Sequence, residues 1–126
     1  MTHKFRSKYE ETIYNNVLSE GLSVEFEPFK LNYTIPGRYL PDFLLPNGII
    51  IEAKGFFDQR ARAKMVAVKK ANPDLDIRFV FMNVNTKVRK GSEATYADWC
   101  KRYGFLYAEG NIPIKWFNEK RKTSNE

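Results

Sequence analysis

The chain has 126 residues, 43% of them hydrophobic, with 10 Phe, 7 Tyr and 2 Trp, so it is long enough for one cored domain and too short for two. Lys and Arg number 21 against 15 Asp and Glu; the resulting +6 charge and pI near 9.4 favour a polyanionic partner, although basic proteins also exist that bind none. Cys100 is the only cysteine and His3 the only histidine, which excludes disulfide frameworks, structural zinc, Cys-His nucleophiles and Ser-His-Asp triads. Any catalysis has to run on carboxylates, lysine and a hard metal ion. No apolar run reaches membrane length, the N-terminus lacks the apolar core of a signal peptide, and no internal repeat is present. The expectation is an intracellular, reduced protein.

Residues 7–20 read as a helix with Ser7 as N-cap and Gly21 just past its end. Tyr9, Ile13, Tyr14, Val17 and Leu18 form one apolar stripe, and Glu10 lies inside it. Two explanations account for an inward glutamate: a capping box in which Glu10 reaches back to the Ser7 amide, or a ligand in a functional site. Residues 24–27 and 29–35 alternate as strands, punctuated by Pro28, Pro36 and Pro41, which predicts an edge strand or an arm leaving the domain over 28–41.

Residues 41–55, Pro-Asp-Phe-Leu-Leu-Pro-Asn-Gly-Ile-Ile-Ile-Glu-Ala-Lys-Gly, read as a β-hairpin. Pro46 and Gly48 suit positions i+1 and i+3 of a type I turn, so the loop is expected to span three residues with Gly48 in a left-handed bulge. That register pairs Leu45 with Ile49 and sets Asp42 opposite Glu52, with Cβ atoms roughly 4.5–5.5 Å apart and Lys54 on the same face. A two-residue turn at Asn47-Gly48 would send the two carboxylates to opposite faces. Opposed like charges beside Phe43, Leu44, Ile50 and Ile51 are costly unless a cation neutralises them. Oxygen ligands suit Mg²⁺ or Mn²⁺, a bound water can supply the nucleophile, and Lys54 could orient it or offset developing charge. Gly55 leaves room for a nucleic-acid backbone. The plainer alternative is a buried hairpin with Glu52 and Lys54 as a surface charge couple.

Asp58 is expected to cap a helix running to Ala71 and closed by Asn72-Pro73, with Ala61, Met65 and Val68 inward and Arg60, Arg62, Lys64, Lys69 and Lys70 elsewhere. Residues 77–82 read as a central strand feeding a loop over 83–92, whose Lys87, Arg89 and Lys90 suit phosphate contacts. A second helix, boxed by Thr95 and Asp98, runs to Gly104 with Tyr96, Trp99, Cys100 and Tyr103 on its apolar face. A last strand at 105–107, a helical turn at 113–117 and a polar tail at 118–126 complete the chain. The expected fold is α/β (α+β): a mixed β-sheet flanked by helices in a single domain over 1–126.

The P-D…E-x-K pattern resembles that of the restriction-endonuclease-like nucleases. A narrower likeness rests on Phe5-Arg6-Ser7-x-x-Glu10, Pro41-Asp42-Phe43-Leu44-Leu45-Pro46-Asn47-Gly48, Glu52-x-Lys54-Gly55, Pro73-x-Leu75-Asp76-Ile77-Arg78 and Ile112-Pro113. In that order, over most of its length, the chain resembles the phage-type endonuclease I family of Holliday-junction resolvases. The resemblance implies a phage- or prophage-encoded protein in the bacterial cytoplasm, a strand-swapped homodimer that binds four-way DNA junctions and nicks opposing strands symmetrically. It implies that Glu10 is catalytic with Asp42, Glu52 and Lys54. Asp42 would bridge two Mg²⁺ ions, replaceable by Mn²⁺, with Glu52 and the Ala53 carbonyl completing one site and Glu10 serving the other. Glu10 would come from one chain and Asp42, Glu52 and Lys54 from its partner, across the arm at 28–41. Arg6, Lys8, Arg60, Arg62, Lys64, Lys87, Arg89 and Lys90 are the expected DNA contacts. The segment 35–41 is shorter than the corresponding family linker, and the basic ends are reduced. Other readings are a restriction or repair endonuclease acting on linear duplex, and a non-catalytic DNA-binding module.

Overall fold

The computed structural model describes residues 5–32 and 38–121. Ser7 is extended, and its hydroxyl accepts the Glu10 amide at 3.1 Å to start α1 (Lys8–Ser19), which the chain leaves through Gly21 at φ +72°. Ile13 and Val17 are buried as the stripe predicts, whereas Leu18 stays half exposed because it lies at the margin of that stripe. After α1 come β1 (Glu25–Phe26), β2 (Leu31–Asn32), β3 (Arg38–Tyr39), β4 (Phe43–Leu44) and β5 (Ile50–Lys54). Then follow α2 (Gln59–Ala71), β6 (Ile77–Phe81), α3 (Tyr96–Tyr103), β7 (Leu106–Glu109) and α4 (Ile114–Phe117).

Five strands form one mixed sheet in the order β1-β4-β5-β6-β7, with β1, β4 and β5 antiparallel and β5, β6 and β7 parallel. Strands β5 and β6 are central and covered on both faces, which explains their nearly unbroken apolar runs. On one face Ile50, Phe79 and Phe81 pack with Phe57, Met65 and Val68 and with Tyr96 and Trp99 of α3; on the other, Ile51, Ala53 and Val80 meet Ile13, Val17 and Trp116. Each helix begins where the sequence predicts. Asp58 accepts the Ala61 amide at 2.9 Å, and Thr95 and Asp98 exchange both bonds of a capping box at 3.0 and 3.2 Å.

The arm predicted over 28–41 folds back within the chain as far as it is described. Leu31 pairs with Tyr39 and Asn32 with Arg38, forming a separate two-stranded sheet, while residues 33–37 lie outside the described part. The C-terminal stretch is less loose than a polar tail suggests. Arg78, 2% exposed in the middle of the sheet, binds Asp76 at 2.8 and 2.9 Å and Glu119 at 2.7 and 2.8 Å, and lies 5.1 Å from the Trp116 ring centroid. Asn47 at the hairpin tip donates to the carbonyls of Trp116 and Glu119 at 2.7 and 3.0 Å, so the turn that sets the register is braced from outside. Residues 122–126 lie outside the described part. Among the described residues no helix is long and apolar enough to cross a membrane.

Candidate active site

The hairpin adopts the three-residue loop. Phe43 pairs with Ile51 and Leu44 with Ile50, the Leu45 amide donates to the Ile49 carbonyl at 2.9 Å, and Gly48 closes the turn onto Leu45 at 3.0 Å with φ +92°. Asp42 therefore stands opposite Glu52, on the same face as Lys54. The carboxylates are 1% and 3% exposed, and Lys54 Nζ lies 3.7 Å from Glu52 Oε1 with a quarter of its side chain open to solvent. Phe57 packs against Phe79, Phe81, Tyr96 and Trp99 at ring-centroid distances of 4.8–5.8 Å, and its amide donates to the Tyr96 hydroxyl. These contacts anchor the chain three residues beyond Lys54. Between them, Gly55 is exposed, and a Cβ there would meet the flexible sulfur of Met82 at 2.9 Å.

The proline of Pro41-Asp42 has a physical role in this register. Along β5, Ile50 and Lys54 direct their backbone groups toward β6: the Ile50 amide donates to Asp76 and the Lys54 carbonyl accepts from Met82. Ile51 and Ala53 alternate with them and face the β4 side. The rung after Phe43–Ile51 and Leu45–Ile49 would join Ala53 to Pro41, which has no N–H to donate. The missing N–H denies the Ala53 carbonyl its ladder donor, and the Ala53 amide donates to Asp42 Oδ2 at 2.8 Å. A carbonyl left over beside two carboxylates is what a hard cation needs.

Two residues that the sequence does not announce complete the setting of the carboxylates. Tyr39, fully buried at the foot of the arm, donates its hydroxyl to Glu52 Oε2 at 2.7 Å, and the Asp42 amide adds a longer bond to the same oxygen at 3.3 Å. Glu27 sits at φ +47°, a left-handed conformation uncommon for a non-glycine residue, with its amide bonded to the Asp42 carbonyl at 2.8 Å. The nearest sequence signal for either is position, since Glu27 immediately precedes the proline-rich arm and Tyr39 lies near its end.

Glu10 is 4% exposed and joins the cluster, but not through a reciprocal capping box. Its Oε1 accepts the Arg6 amide at 2.9 Å rather than that of Ser7, one residue further out, which turns its other oxygen toward Arg6 Nη2 at 3.5 Å. Nη2 also bonds Asp42 Oδ1, and Nε meets Glu27 Oε2 at 3.1 Å. Glu10 and Asp42 are thus brought together within one chain. Arg6, expected as a DNA contact, lies across the carboxylates with its side chain 56% exposed.

The other predicted contacts divide. Lys8, Arg60, Lys87, Arg89 and Lys90 are exposed. The loop carrying the last three leaves the C-terminal end of β6, the same end of the parallel strands at which Lys54 lies. Arg62 is committed elsewhere: Nη1 donates to the carbonyls of Phe57 and Val88 at 2.7 and 2.9 Å, tying α2 to that loop, so a brace accounts for it better than a phosphate contact. Lys64 is half buried, 5.8 Å from the centroid of the Tyr39 ring. A cavity of about 440 Å³ lined by Arg62, Arg89 and Arg102 lies between α2, the loop and α3 and holds none of Glu10, Asp42 or Glu52.

Among the described residues no three His, Cys, Asp or Glu side chains stand in a ready metal-binding group, and Arg6 fills the space between Glu10 and Asp42. The donor set still fits a hard divalent ion: all oxygen, two buried charges in need of a cation, and a backbone carbonyl without its ladder partner. Burial pushes the Asp42 carboxyl well up, and Glu52 and Glu10 beside it add to the rise. Burial also raises Glu52, against the opposing pull of Lys54, the Tyr39 hydroxyl and the Asp42 amide.

Both carboxyls hold their protons more tightly folded than unfolded, so their contribution to stability is complete below the ordinary carboxylate range, about pH 4. It is lost as pH rises through their raised folded values. The exposed Asp98, lowered by its bonds at the Thr95 cap, works in the opposite sense, but only below the ordinary range. Thermal unfolding without divalent ions should therefore show a midpoint that falls as pH rises above the ordinary carboxylate range, about pH 4. The fall should be shallower in Asp42→Asn and in wild-type protein with Mg²⁺. A midpoint that rises steadily above that range would contradict the assignment.

The model of the family described as Phage endonuclease I matches residues 1–126. The chain is 40% identical over 121 residues to Endonuclease I of Escherichia phage T7, covering 94% of this chain and 81% of that protein. It is likewise 40% identical to Endodeoxyribonuclease 1 of Enterobacteria phage T3, over 94% of this chain and 80% of that one. A match along the whole length, together with a hairpin that sets Asp42, Glu52 and Lys54 on one face, leads to one conclusion: the chain belongs to the phage endonuclease I family.

Proposed function

We propose that this endodeoxyribonuclease is a metal-dependent resolvase that hydrolyses phosphodiesters in four-way DNA junctions by paired, symmetric nicks. The observation that carries the hydrolytic part is the hairpin register, which opposes Asp42 to Glu52 with Lys54 Nζ 3.7 Å from the latter. Asp42, Glu52, the Ala53 carbonyl and Glu10 would hold Mg²⁺, two ions per site, with Mn²⁺ able to substitute. Bound there, the metal supplies Lewis-acid charge and a water of lowered pKa. Tyr39 and the Asp42 amide fix the Glu52 carboxylate, so its orientation is set before substrate arrives. Lys54 orients the attacking water and offsets charge on the phosphate as the P–O bond breaks. Phosphate contacts from Lys87, Arg89 and Lys90 would hold the backbone over this end of the sheet, supplying affinity without reading sequence.

Junction selectivity rests on the family likeness, and so does the shared active site. In a strand-swapped dimer the contacts that α1 and β1 make within one chain would be made to the partner.

Asp42→Ala and Glu52→Ala should lower Mg²⁺-dependent cleavage on the order of a thousandfold or more while leaving junction binding intact, since they remove ligands and not cationic surface. Cleavage of a four-way junction should exceed that of a linear duplex of equal length. Equal rates on both would favour a restriction- or repair-type enzyme, and binding without any cleavage in Mg²⁺ or Mn²⁺ would favour a binding module.

Mixing Glu10→Ala and Asp42→Ala chains, unfolded and refolded together, tests the exchange. A shared site leaves one centre of the heterodimer wholly intact, so single-strand nicking should return. A mixture containing heterodimers yet as inert as its parents would show that each chain builds its own centre.

Neutralising Lys87, Arg89 or Lys90 singly should weaken DNA binding across sequences and reduce the salt slope by about one unit each. Binding measured over a range of salt concentrations, with an unchanged slope in all three variants, would make the loop an ordinary solvated turn.

A further inference from the structure

The Arg6 side chain is 56% exposed, yet Nη2 bonds Asp42, whose side chain is 2% exposed, and reaches Glu10 Oε2 at 3.5 Å. Nε is held separately, 3.1 Å from Glu27. Burial works against the charged guanidinium, but Asp42, Glu10, Glu27 and Glu52 outweigh it and stabilise the cation. A divalent ion on the same carboxylate oxygens and a guanidinium bonded to them are mutually exclusive, because two cations would stand within one ionic contact of each other. Leaving Asp42 and Glu10 with neither would strand buried charge.

We propose that Arg6 is an exchangeable counter-cation of the site. In the metal-free protein it neutralises Glu10 and Asp42; an entering divalent ion displaces Nη2, and Glu27 keeps the released guanidinium at the rim, where it meets the substrate phosphate. The exposed half of the side chain gives it room to swing without disturbing the core. Glu27 suits the tether because its amide is fixed to the Asp42 carbonyl at 2.8 Å, so its carboxylate keeps station beside the site whatever Arg6 does. Its backbone is left-handed at φ +47°, and its carboxylate meets Arg6 Nε at 3.1 Å. The inference rests on the metal-dependent reading above.

Calorimetric titration of the DNA-free protein with Mn²⁺ tests the exchange. Arg6→Gln should bind Mn²⁺ roughly tenfold more tightly than wild type, a coupling of ordinary size. Lys70→Gln, which removes an exposed charge at the end of α2, should change the affinity little, and Arg6→Lys should stay near wild type. Thermal unfolding gives a second readout: Arg6→Gln should be less stable than wild type in EDTA, with the gap closing or reversing in saturating Mn²⁺. With Ca²⁺ replacing Mg²⁺, the salt slope of DNA binding should fall by about one unit in Arg6→Gln. An Mn²⁺ affinity in Arg6→Gln equal to or weaker than wild type, or matched by Lys70→Gln, would overturn the exchange; an unchanged salt slope would overturn the phosphate contact. If wild type and every variant fail to bind Mn²⁺, the metal-dependent reading falls, and this inference with it.

Discussion

The pairing register of β4 with β5 is the constraint on which the rest of the site depends. Side chains alternate along a strand, so a slip of one residue would carry Glu52 to the opposite face and leave Asp42 without a partner. Gly48 at φ +92° makes the three-residue loop possible, and Asn47 ties that loop to the backbone of Trp116 and Glu119. Arg78 fixes the same stretch from beneath the sheet through Glu119. A turn some distance from the chemistry is thus held by the C-terminal segment, which gives the buried arginine a reason to exist in a central strand.

The site also shows how a fold tolerates charges that it would otherwise expel. Asp42 and Glu52 lie where burial raises both carboxyls, and each is accommodated by specific donors: the Ala53 amide for one, Tyr39 and the Asp42 amide for the other. Among the described residues no buried side-chain polar atom lacks a partner. The buried carboxylates are consequently hydrogen-bonded throughout in this fold. Arg6, whose side chain is 56% exposed, supplies part of that pairing, alongside the Ala53 and Asp42 amides and the Tyr39 hydroxyl.

Pro41 links covalent structure to chemistry in the same economical way. Elsewhere in a sheet a missing N–H is a defect, and proline is kept to edges and bulges. Here the missing donor falls opposite Ala53 and leaves its carbonyl without a ladder partner beside the carboxylates, while the Ala53 amide donates to Asp42. The Pro-Asp pair therefore reads as one device with two parts.

Much of this was legible in the chain itself, because it depends on local rules. Ser7, Asp58 and Thr95 cap helices through their own side chains within three residues, and the hairpin register follows from a turn of adjacent residues. The opposition of Asp42 and Glu52 was available from spacing for the same reason. What spacing could not decide was any contact between elements distant in sequence. Whether Glu10 capped its own helix or entered the site turned on Arg6 and Asp42, and Asp42 lies on a different element. Tyr39, Glu27 and the bracing of Arg62 were hidden likewise, since each is defined by a partner that only the folded sheet brings near. The sequence by itself determined the register of the carboxylate hairpin and the helix boundaries, where every constraint is local. Only the tertiary structure decided which cation neutralises the carboxylates and which residues hold them in place, because burial and long-range approach create that need and meet it together.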